Sequence, residues 1–204
     1  MGASNARSAI PVARTRLISF LLGIGRGLVA EFLLRSGSTV IACVRDPHHA
    51  SAQSLQELPR ADGSTLIVTK LNCASPTDAA EAITTVQKEF LVTSLDIVVA
   101  NAAIAANFGP TSTMSTVAMM DHMQINCYSV LQLFQASQPL LEKAVTGRPR
   151  FLFIGAPISS ITEMEQTGRA PLGAYSVSKL AANFVVRKLH FENKWLTAFI
   201  VDPG

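Results

Sequence analysis

The sequence predicts an α/β fold in which a doubly wound parallel sheet carries helices on both faces. Six apolar runs of strand length alternate with segments of helical period. The runs are apolar throughout rather than at every second residue, which is typical of strands buried on both faces. The alternation of strands and helices then predicts a parallel sheet with right-handed crossovers. With 204 residues, 49% of them hydrophobic, the chain is long and apolar enough for one large domain.

The strands are predicted, in order, from short apolar or β-branched runs. They are expected at residues 17–22, 39–44, 65–71, 95–100, 151–154 and 196–201. Between them, apolar residues recur every three or four positions, which indicates helices. The helices are expected at residues 23–37, 51–58, 75–90, 115–145 and 174–192.

Residues that favour helix ends set several of these boundaries. Gly37 ends the first helix and Pro59 ends the second. Ser75 is predicted to cap the third helix, with Pro76 in its first turn. Asp78 then lies near the positive end of the helix dipole, where a carboxylate is stabilising.

Composition divides the chain into a short atypical start and one domain. Residues 1–30 contain four arginines and no acidic residue, whereas the whole chain has a net charge of only +3. We expect residues 1–16 to be disordered or atypical and residues 17–204 to form a single domain. The chain stops at Gly204, directly after the last predicted strand, so we expect a truncation after the sixth strand.

Charge and hydropathy exclude two classes of partner. Lysine and arginine neither cluster nor alternate with aromatic residues, so no nucleic-acid partner is predicted. The apolar run at residues 17–25 is too short to cross a bilayer, so no membrane association is expected. The three cysteines and four histidines show no metal-ligand spacing, so no metal is predicted. The odd cysteine count indicates reduced thiols and a cytoplasmic location.

A glycine-rich turn follows the first predicted strand. Gly23, Ile24 and Gly25 stand where the strand meets the first helix. Glycine lets the backbone approach a pyrophosphate, and the helix start offers free N–H groups and a partial positive charge. We therefore assign these three residues to dinucleotide binding, with a plain flexible turn as the alternative.

The residue after the second strand distinguishes the two nicotinamide dinucleotides. An acid at that position would bind a free ribose 2′-hydroxyl, whereas a base accommodates a 2′-phosphate. Arg45 is a base, so NADP is predicted rather than NAD, although Asp46 follows it directly. The alternative is a solvated arginine in a loop.

Tyr175 and Lys179 are four residues apart in the last predicted helix and so share one face. An ammonium beside a phenol favours the phenolate and is expected to lower the tyrosine pKa from about 10. Such a tyrosine can give a proton to a carbonyl oxygen as hydride arrives, or take it back in the reverse direction.

Three further motifs complete a pattern when taken in order with the glycine turn and the tyrosine–lysine pair. They are Asn101-Ala102-Ala103 after the fourth strand, Asn126 in the long helix, and Asp202-Pro203-Gly204. From Gly23 to Gly204 the chain resembles the short-chain dehydrogenase/reductase family, and within it fungal ketoreductases. The resemblance implies a Rossmann-like fold.

The resemblance implies a role for each catalytic residue. Tyr175 would be the general acid/base, and Lys179 would hold the nicotinamide ribose and depress the tyrosine pKa. Asn126 would anchor a water molecule that links Lys179 to solvent. The alternative for Asn126 is a helix asparagine that bonds its own backbone.

The resemblance also implies further cofactor-binding positions. Asn101 would steady the central sheet beside the cofactor, with an ordinary turn residue as the alternative. Pro203 and Gly204 would border the nicotinamide pocket. Asn72 stands at a cofactor-site position where the family often has aspartate, and this change removes a possible adenine contact. Ser19 likewise replaces the family's first glycine.

The serine that would polarise the substrate carbonyl is ambiguous. Counting back from the tyrosine leads to Thr162, whereas aligning the fifth strand leads to Ala156. Ser159 and Ser160 lie between them, and we assign the role to Ser159. Loop serines without a catalytic role are the alternative.

Together these residues predict an NADP-dependent oxidoreductase that reduces a ketone to a secondary alcohol. The resemblance implies a small-molecule substrate that is bulky and apolar, such as an aromatic polyketide. It also implies a homodimer or tetramer formed through the helices at 115–145 and 174–192. The rival interpretations are an inactive nucleotide-binding relative that acts as a regulator, and a truncated fragment.

Overall fold

A computed structural model describes the backbone of residues 14–19 and the whole of residues 23–203. The described strands are β1 Arg14–Ser19, β2 Ser38–Val44, β3 Thr65–Lys70, β4 Ile97–Ala100, β5 Arg150–Ile154 and β6 Thr197–Val201. The described helices are α1 Ile24–Leu33, α2 Ala50–Gln53, α3 Asp78–Glu89, α4 Thr116–Met123, α5 Ser129–Leu141, α6 Met164–Thr167 and α7 Gly173–Glu192.

The six strands form one sheet in the order β3-β2-β1-β4-β5-β6, and every neighbouring pair is parallel. The predicted doubly wound α/β fold is therefore confirmed. The strand order reverses between β1 and β4, and ligands of such sheets bind beside the carboxyl ends of the strands at this point. Arg45, Asn101 and Gly155 each follow a strand at this edge.

Two apolar clusters cover the two faces of the sheet. The larger one joins β4 and β5 to α3, α5 and α7, and its Phe134 and Phe151 rings meet edge to face at 5.4 Å. The other joins α1 to β2 through Val29, Leu33 and Val40. Both faces of the sheet are therefore buried, as the unbroken apolar sequence of the predicted strands indicated.

The first strand corrects a prediction. It begins at Arg14 rather than at residue 17, so residues 14–16 are not part of a disordered segment. The reason is pairing: β1 is an inner strand, and its backbone matches Ser38–Cys43 on one side residue for residue. Tertiary pairing of this kind overrides local propensity. Residues 1–13, residues 20–22 of the predicted strand, and Gly204 lie outside the described residues.

Four helices also differ from their predicted forms. The first ends at Leu33 rather than at Gly37. The segment at 51–58 is the short helix α2 followed by a 3₁₀ turn, Ser54–Glu57. The third helix begins at Asp78 and leaves Pro76 outside, because the Ser75 hydroxyl accepts the Thr77 and Asp78 N–H groups. The long helix ends at Leu141 and is interrupted.

The interruption is a π-helical turn, Gln124–Tyr128, between α4 and α5. The first part of the long helix, α4, is capped as predicted by Ser115, whose hydroxyl accepts the Ala118 N–H at 3.0 Å. A π turn inserts one extra residue into the helical path and is frequent at functional sites. Asn126 lies within this turn.

Leu91, just after α3, provides a test of local strain. Its φ is +54°, in the left-handed region that leucine disfavours by about 1–2 kcal/mol, and its side chain is 79% exposed. We expect Leu91→Gly to raise the free energy of unfolding by about 0.5–1 kcal/mol, because strain is removed and little packing is lost. Urea denaturation measures this change.

Leu34 is the matched control for this substitution. It is also exposed, but its φ is −76°, which leucine adopts without strain. Leu34→Gly is therefore expected to lower the free energy of unfolding. If both substitutions lower it, the strain at Leu91 has no energetic effect.

Candidate functional site

The glycine turn lies where β1 meets α1. Gly23 caps the helix with a φ of +94°, a backbone conformation that residues other than glycine strongly disfavour. Its carbonyl oxygen accepts the N–H groups of Arg26 and Gly27, and Gly25 is buried. The first turn of α1 contains no acidic residue, so nothing there repels an anion. These features fit the predicted pyrophosphate cradle, in which Ile24 follows Gly23 as the first helical residue.

Arg45 lies beside a small pocket at the ends of β2, β3 and β4. The pocket has a volume of about 50 Å³ and is lined by Arg45, Leu71, Asn72, Cys73, Ala102, Ile104 and Ile125. Arg45 is the only charged residue of this lining, which is otherwise mainly apolar. The assignment of Arg45 to the 2′-phosphate stays a prediction.

The side chain of Asn72 forms a hydrogen bond within its own turn. Its Oδ1 accepts the Ala74 N–H at 3.1 Å, and its own backbone N–H donates to the Asp78 carboxylate at 2.9 Å. Hydrogen bonds from Ser75 and Asn72, together with Lys70 nearby, lower the pKa of Asp78 and keep this carboxylate charged. Asn72 therefore lines the pocket as part of a fixed turn.

Lys179 is one of the most buried charged side chains of the described residues. It is 1% exposed, its Nζ donates to the Ile154 carbonyl at 2.6 Å, and the Phe153 ring lies 4.4 Å away. Burial lowers the pKa of Lys179 to about 8. The ammonium is thus held at the carboxyl end of β5, next to β4, the first strand after the strand-order reversal.

Tyr175 lies one helical turn from Lys179, with its ring centroid 5.8 Å from Nζ. The expectation of a lowered tyrosine pKa is wrong for this structure. Burial raises the pKa of Tyr175, and the negative charge of Asp202 raises it further. The Lys179 ammonium, whose Nζ donates to the Ile154 carbonyl, is not among the causes of this shift. The phenol is therefore protonated near neutral pH and can act as an acid.

Asn126 joins three segments through hydrogen bonds. Its Oδ1 accepts the Ile104 N–H at 2.8 Å, and its Nδ2 donates to the Ile104 carbonyl at 2.9 Å and to the Ser178 hydroxyl at 2.9 Å. Ser178 in turn donates to the Tyr175 carbonyl. The alternative of a helix asparagine bonding its own backbone is therefore wrong. The water-anchoring role stays a prediction, and the side chain's two N–H groups are already used.

Ser159 lies in a 3₁₀ turn, Pro157–Ser159, just beyond β5. Its hydroxyl donates to the Ala156 carbonyl at 2.6 Å and accepts the Nδ2 of Asn183 at 2.8 Å. Ser160 accepts the Glu163 N–H, and Thr162 is exposed. Of the three hydroxyls, that of Ser159 is the one bonded to α7, the helix that also bears Tyr175 and Lys179.

Two of the remaining predicted positions, Asn101 and Pro203, lie at the same edge of the sheet. Asn101 directly follows β4 and is half-buried. Pro203 is exposed and follows Asp202, one residue beyond the end of β6. Gly204 lies outside the described residues. Their cofactor-binding roles stay predictions.

The sequence analysis missed the structural role of His122. This residue is fully buried; its Nδ1 bonds to the Ala118 carbonyl at 2.7 Å, and its Nε2 accepts the Ala106 N–H at 3.2 Å. It lies four residues before Asn126, so the two side chains hold the same loop from one helical face. That spacing was the available signal. Among the described residues, no group of three potential metal ligands is found.

Comparison with known proteins places this geometry in context. Residues 20–204 match the family model described as short chain dehydrogenase. The norsolorinic acid ketoreductase of Dothistroma septosporum is 60% identical over 182 residues, which cover 89% of this chain and 68% of that protein. That of Emericella nidulans is 54% identical over the same shares of the two chains.

Solved structures support the fold. The crystal structure of NADPH-bound carbonyl reductase from chicken fatty liver superposes with a TM-score of 0.81 at 24% identity, covering 94% of this chain and 76% of that one. The putative carbonyl reductase Sniffer of Caenorhabditis elegans gives 0.82 at 21% identity, covering 94% and 83%. Within the described part of the chain, no helix is long and apolar enough to span a membrane.

Proposed function

Because the chain belongs to the short-chain dehydrogenase family, we propose that it is an NADP(H)-dependent ketoreductase that converts a ketone to a secondary alcohol. The observation that carries this proposal is the buried Lys179 one turn from Tyr175, at the sheet edge that also bears the Gly23 turn. A protonated phenol at this place can supply the proton that ketone reduction requires.

Each residue has a separate task in the proposed reaction. The Gly23 turn and the start of α1 bind the pyrophosphate, and Arg45 binds the 2′-phosphate. Lys179 exchanges its bond to the Ile154 carbonyl for the ribose hydroxyls. NADPH, when bound, supplies the hydride to the carbonyl carbon. Tyr175 gives its proton to the carbonyl oxygen, while the Ser159 hydroxyl donates a hydrogen bond to that oxygen.

The substrate is proposed to be an aromatic polyketide or another bulky apolar ketone. Two relatives more than half identical to this chain carry the name norsolorinic acid ketoreductase. A cleft of about 420 Å³ lies beside Ser159 and is lined in part by Pro157, Ile161, Leu180 and Ile200. Five of its ten lining residues are apolar and would contact such a ligand, and the other five are polar, including Glu163 and Asp202.

A direct experiment tests the proposed function. The purified chain is titrated with NADPH and with NADH while nicotinamide fluorescence is followed, and a quinone or a decalone is then added. Tighter NADPH binding followed by NADPH oxidation supports the proposal. Binding without turnover favours the second candidate, an inactive nucleotide-binding relative. Two observations support this candidate: the Ser159 hydroxyl already donates to Ala156 and accepts from Asn183, and position 156 itself is an alanine.

The choice of NADP over NAD depends on Arg45. We expect Arg45→Ala to raise the Kd for NADPH about 10–100-fold, because a hydrogen bond to a charged group contributes about 1.5–3 kcal/mol. The Kd for NADH should change little. Fluorescence titration with both nucleotides measures this difference. Arg60→Ala, which removes an exposed arginine bonded to Gln56, is the control; equal losses for both nucleotides in Arg45→Ala would contradict the assignment.

We also propose that two copies of the chain associate through α7. Val177, Phe184 and Phe191 recur every seven residues on one helix face and are 43%, 67% and 67% exposed. An apolar stripe of this size favours burial against a second copy. Sedimentation analysis should show a dimer or tetramer that Phe184→Glu dissociates. A wild-type monomer at micromolar concentration, or no effect of this substitution, would refute the interface.

A further inference from the structure

The hydrogen bond between Asn183 and Ser159 links the catalytic helix to the loop after β5. Asn183 lies one turn beyond Lys179 in α7, and its Nδ2 donates to the Ser159 hydroxyl oxygen at 2.8 Å. Ser159 is 5% exposed and directs its own hydrogen to the Ala156 carbonyl at 2.6 Å. One side chain of the catalytic helix therefore fixes the position of this hydroxyl.

The orientation of the Asn183 amide follows from these contacts. The Ser159 oxygen has already given its hydrogen to Ala156, so toward Asn183 it can only accept, which requires the NH₂ group there. The Asn183 Oδ1 is then buried without a hydrogen-bond partner. A Cβ added at Gly155 would lie 3.7 Å from this oxygen. Unpaired buried oxygens are rare in proteins. Asn183 therefore keeps its NH₂ group on Ser159 while its own oxygen stays unpaired, and this contact calls for a functional explanation.

We propose that Asn183 is a positioning residue that holds Ser159 ready to polarise the substrate carbonyl. Its NH₂ group keeps the Ser159 oxygen in place while the hydroxyl hydrogen turns from the Ala156 carbonyl to the substrate oxygen. No bond other than a hydrogen bond changes in this step. The donated hydrogen bond also strengthens the hydroxyl as a donor, because linked hydrogen bonds polarise one another. This inference rests on the proposed ketone reduction.

The position of Ser159 in the loop explains why its hydroxyl would need Asn183 as an anchor. The strand alignment puts alanine at position 156, where a hydroxyl was expected from the family pattern. Ala156 and Ser159 both line the cleft of about 420 Å³ that also includes Asn183 and Asp202. A hydroxyl three residues farther along the loop needs a fixed anchor, and Asn183 supplies one.

A double-mutant cycle on turnover tests the proposal. Ser159→Ala is expected to lower kcat about 100-fold, the loss typical of one donor to a developing oxyanion. Asn183→Leu is expected to lower kcat about tenfold. In the Ser159→Ala background, Asn183→Leu should have no further effect on kcat, because Asn183 acts through Ser159. The Kd for NADPH should be unchanged throughout.

The controls separate a positioning role from a structural one. Asn193→Leu removes one hydrogen bond near the end of the same helix and should leave kcat unchanged. Asn183→Asp keeps the shape of the side chain, but an ionised carboxylate cannot donate to Ser159. This variant therefore replaces Asn183→Leu in the double-mutant cycle if Asn183→Leu does not fold. Ala156→Ser in the Ser159→Ala background should recover part of the lost kcat.

Each outcome decides one of the two proposals. If Asn183→Leu lowers kcat by the same factor in both backgrounds, Asn183 is only structural and the inference fails. If the wild-type chain reduces ketones and Ser159→Ala does so equally well, the inference also fails while the reductase proposal stands. If the wild-type chain binds NADPH but reduces no ketone, the reductase proposal fails and this role with it.

Discussion

Tyr175→Phe is expected to lower kcat for ketone reduction about 1,000-fold while leaving the Kd for NADPH within about twofold, since general acid catalysis typically contributes 10²–10⁴-fold. The substitution removes a single oxygen from a half-buried ring near the start of α7, so the helix and the Lys179 contact with Ile154 should persist. Steady-state kinetics and fluorescence titration measure the two quantities separately.

The pH dependence of the wild-type rate provides an independent check. The proposed reduction requires the protonated phenol, so the rate is expected to fall as pH rises through the pKa of Tyr175. Burial and the Asp202 carboxylate both raise that pKa. Asp202→Asn removes the negative charge and should therefore move the alkaline limb of the kcat profile to lower pH. Unchanged turnover in Tyr175→Phe, or a limb that moves to higher pH in Asp202→Asn, would rule out Tyr175 as the acid.

The fold could be predicted because its main determinants are local in the sequence. Val40, Ile41 and Ala42 form an unbroken apolar run, and all three are fully buried in β2. Ser115 marks the start of the long helix with the hydrogen bond expected of a cap. Such signals depend on neighbouring residues only, so they can be read without the tertiary structure.

The features that could not be predicted depend on contacts between distant segments. Arg14 begins a strand because β2 and β4 flank β1. The raised pKa of Tyr175 depends on its burial and on Asp202, whose place beside the phenol is set by β6. The ties of Ser159 to Asn183 depend on how α7 packs against the end of β5. Tyr175 and Ser159 could be selected from the sequence, whereas the pKa of the phenol and the hydrogen bonds of the hydroxyl depend on how the chain packs.

Asn126 is expected to give the largest loss of stability of any single polar residue in the site. It is fully buried in the π turn, and its amide makes three hydrogen bonds to Ile104 and Ser178. Asn126→Leu leaves the Ile104 N–H and carbonyl and the Ser178 hydroxyl without this partner. Since each buried group left unpaired costs about 1–3 kcal/mol, the free energy of unfolding should fall by about 3–5 kcal/mol. Urea denaturation measures this change.

Ser137→Ala is the matched control, because Ser137 is equally buried but donates only to carbonyls of its own helix, those of Leu133 and Phe134. Its removal should cost less than about 1 kcal/mol, since those carbonyls keep their helical partners. A loss in Asn126→Leu no greater than in Ser137→Ala would show that the loop at Ile104 is held by other contacts. A large loss would instead establish that this one amide stabilises the junction of the loop after β4, the π turn and α7, the helix that carries Tyr175.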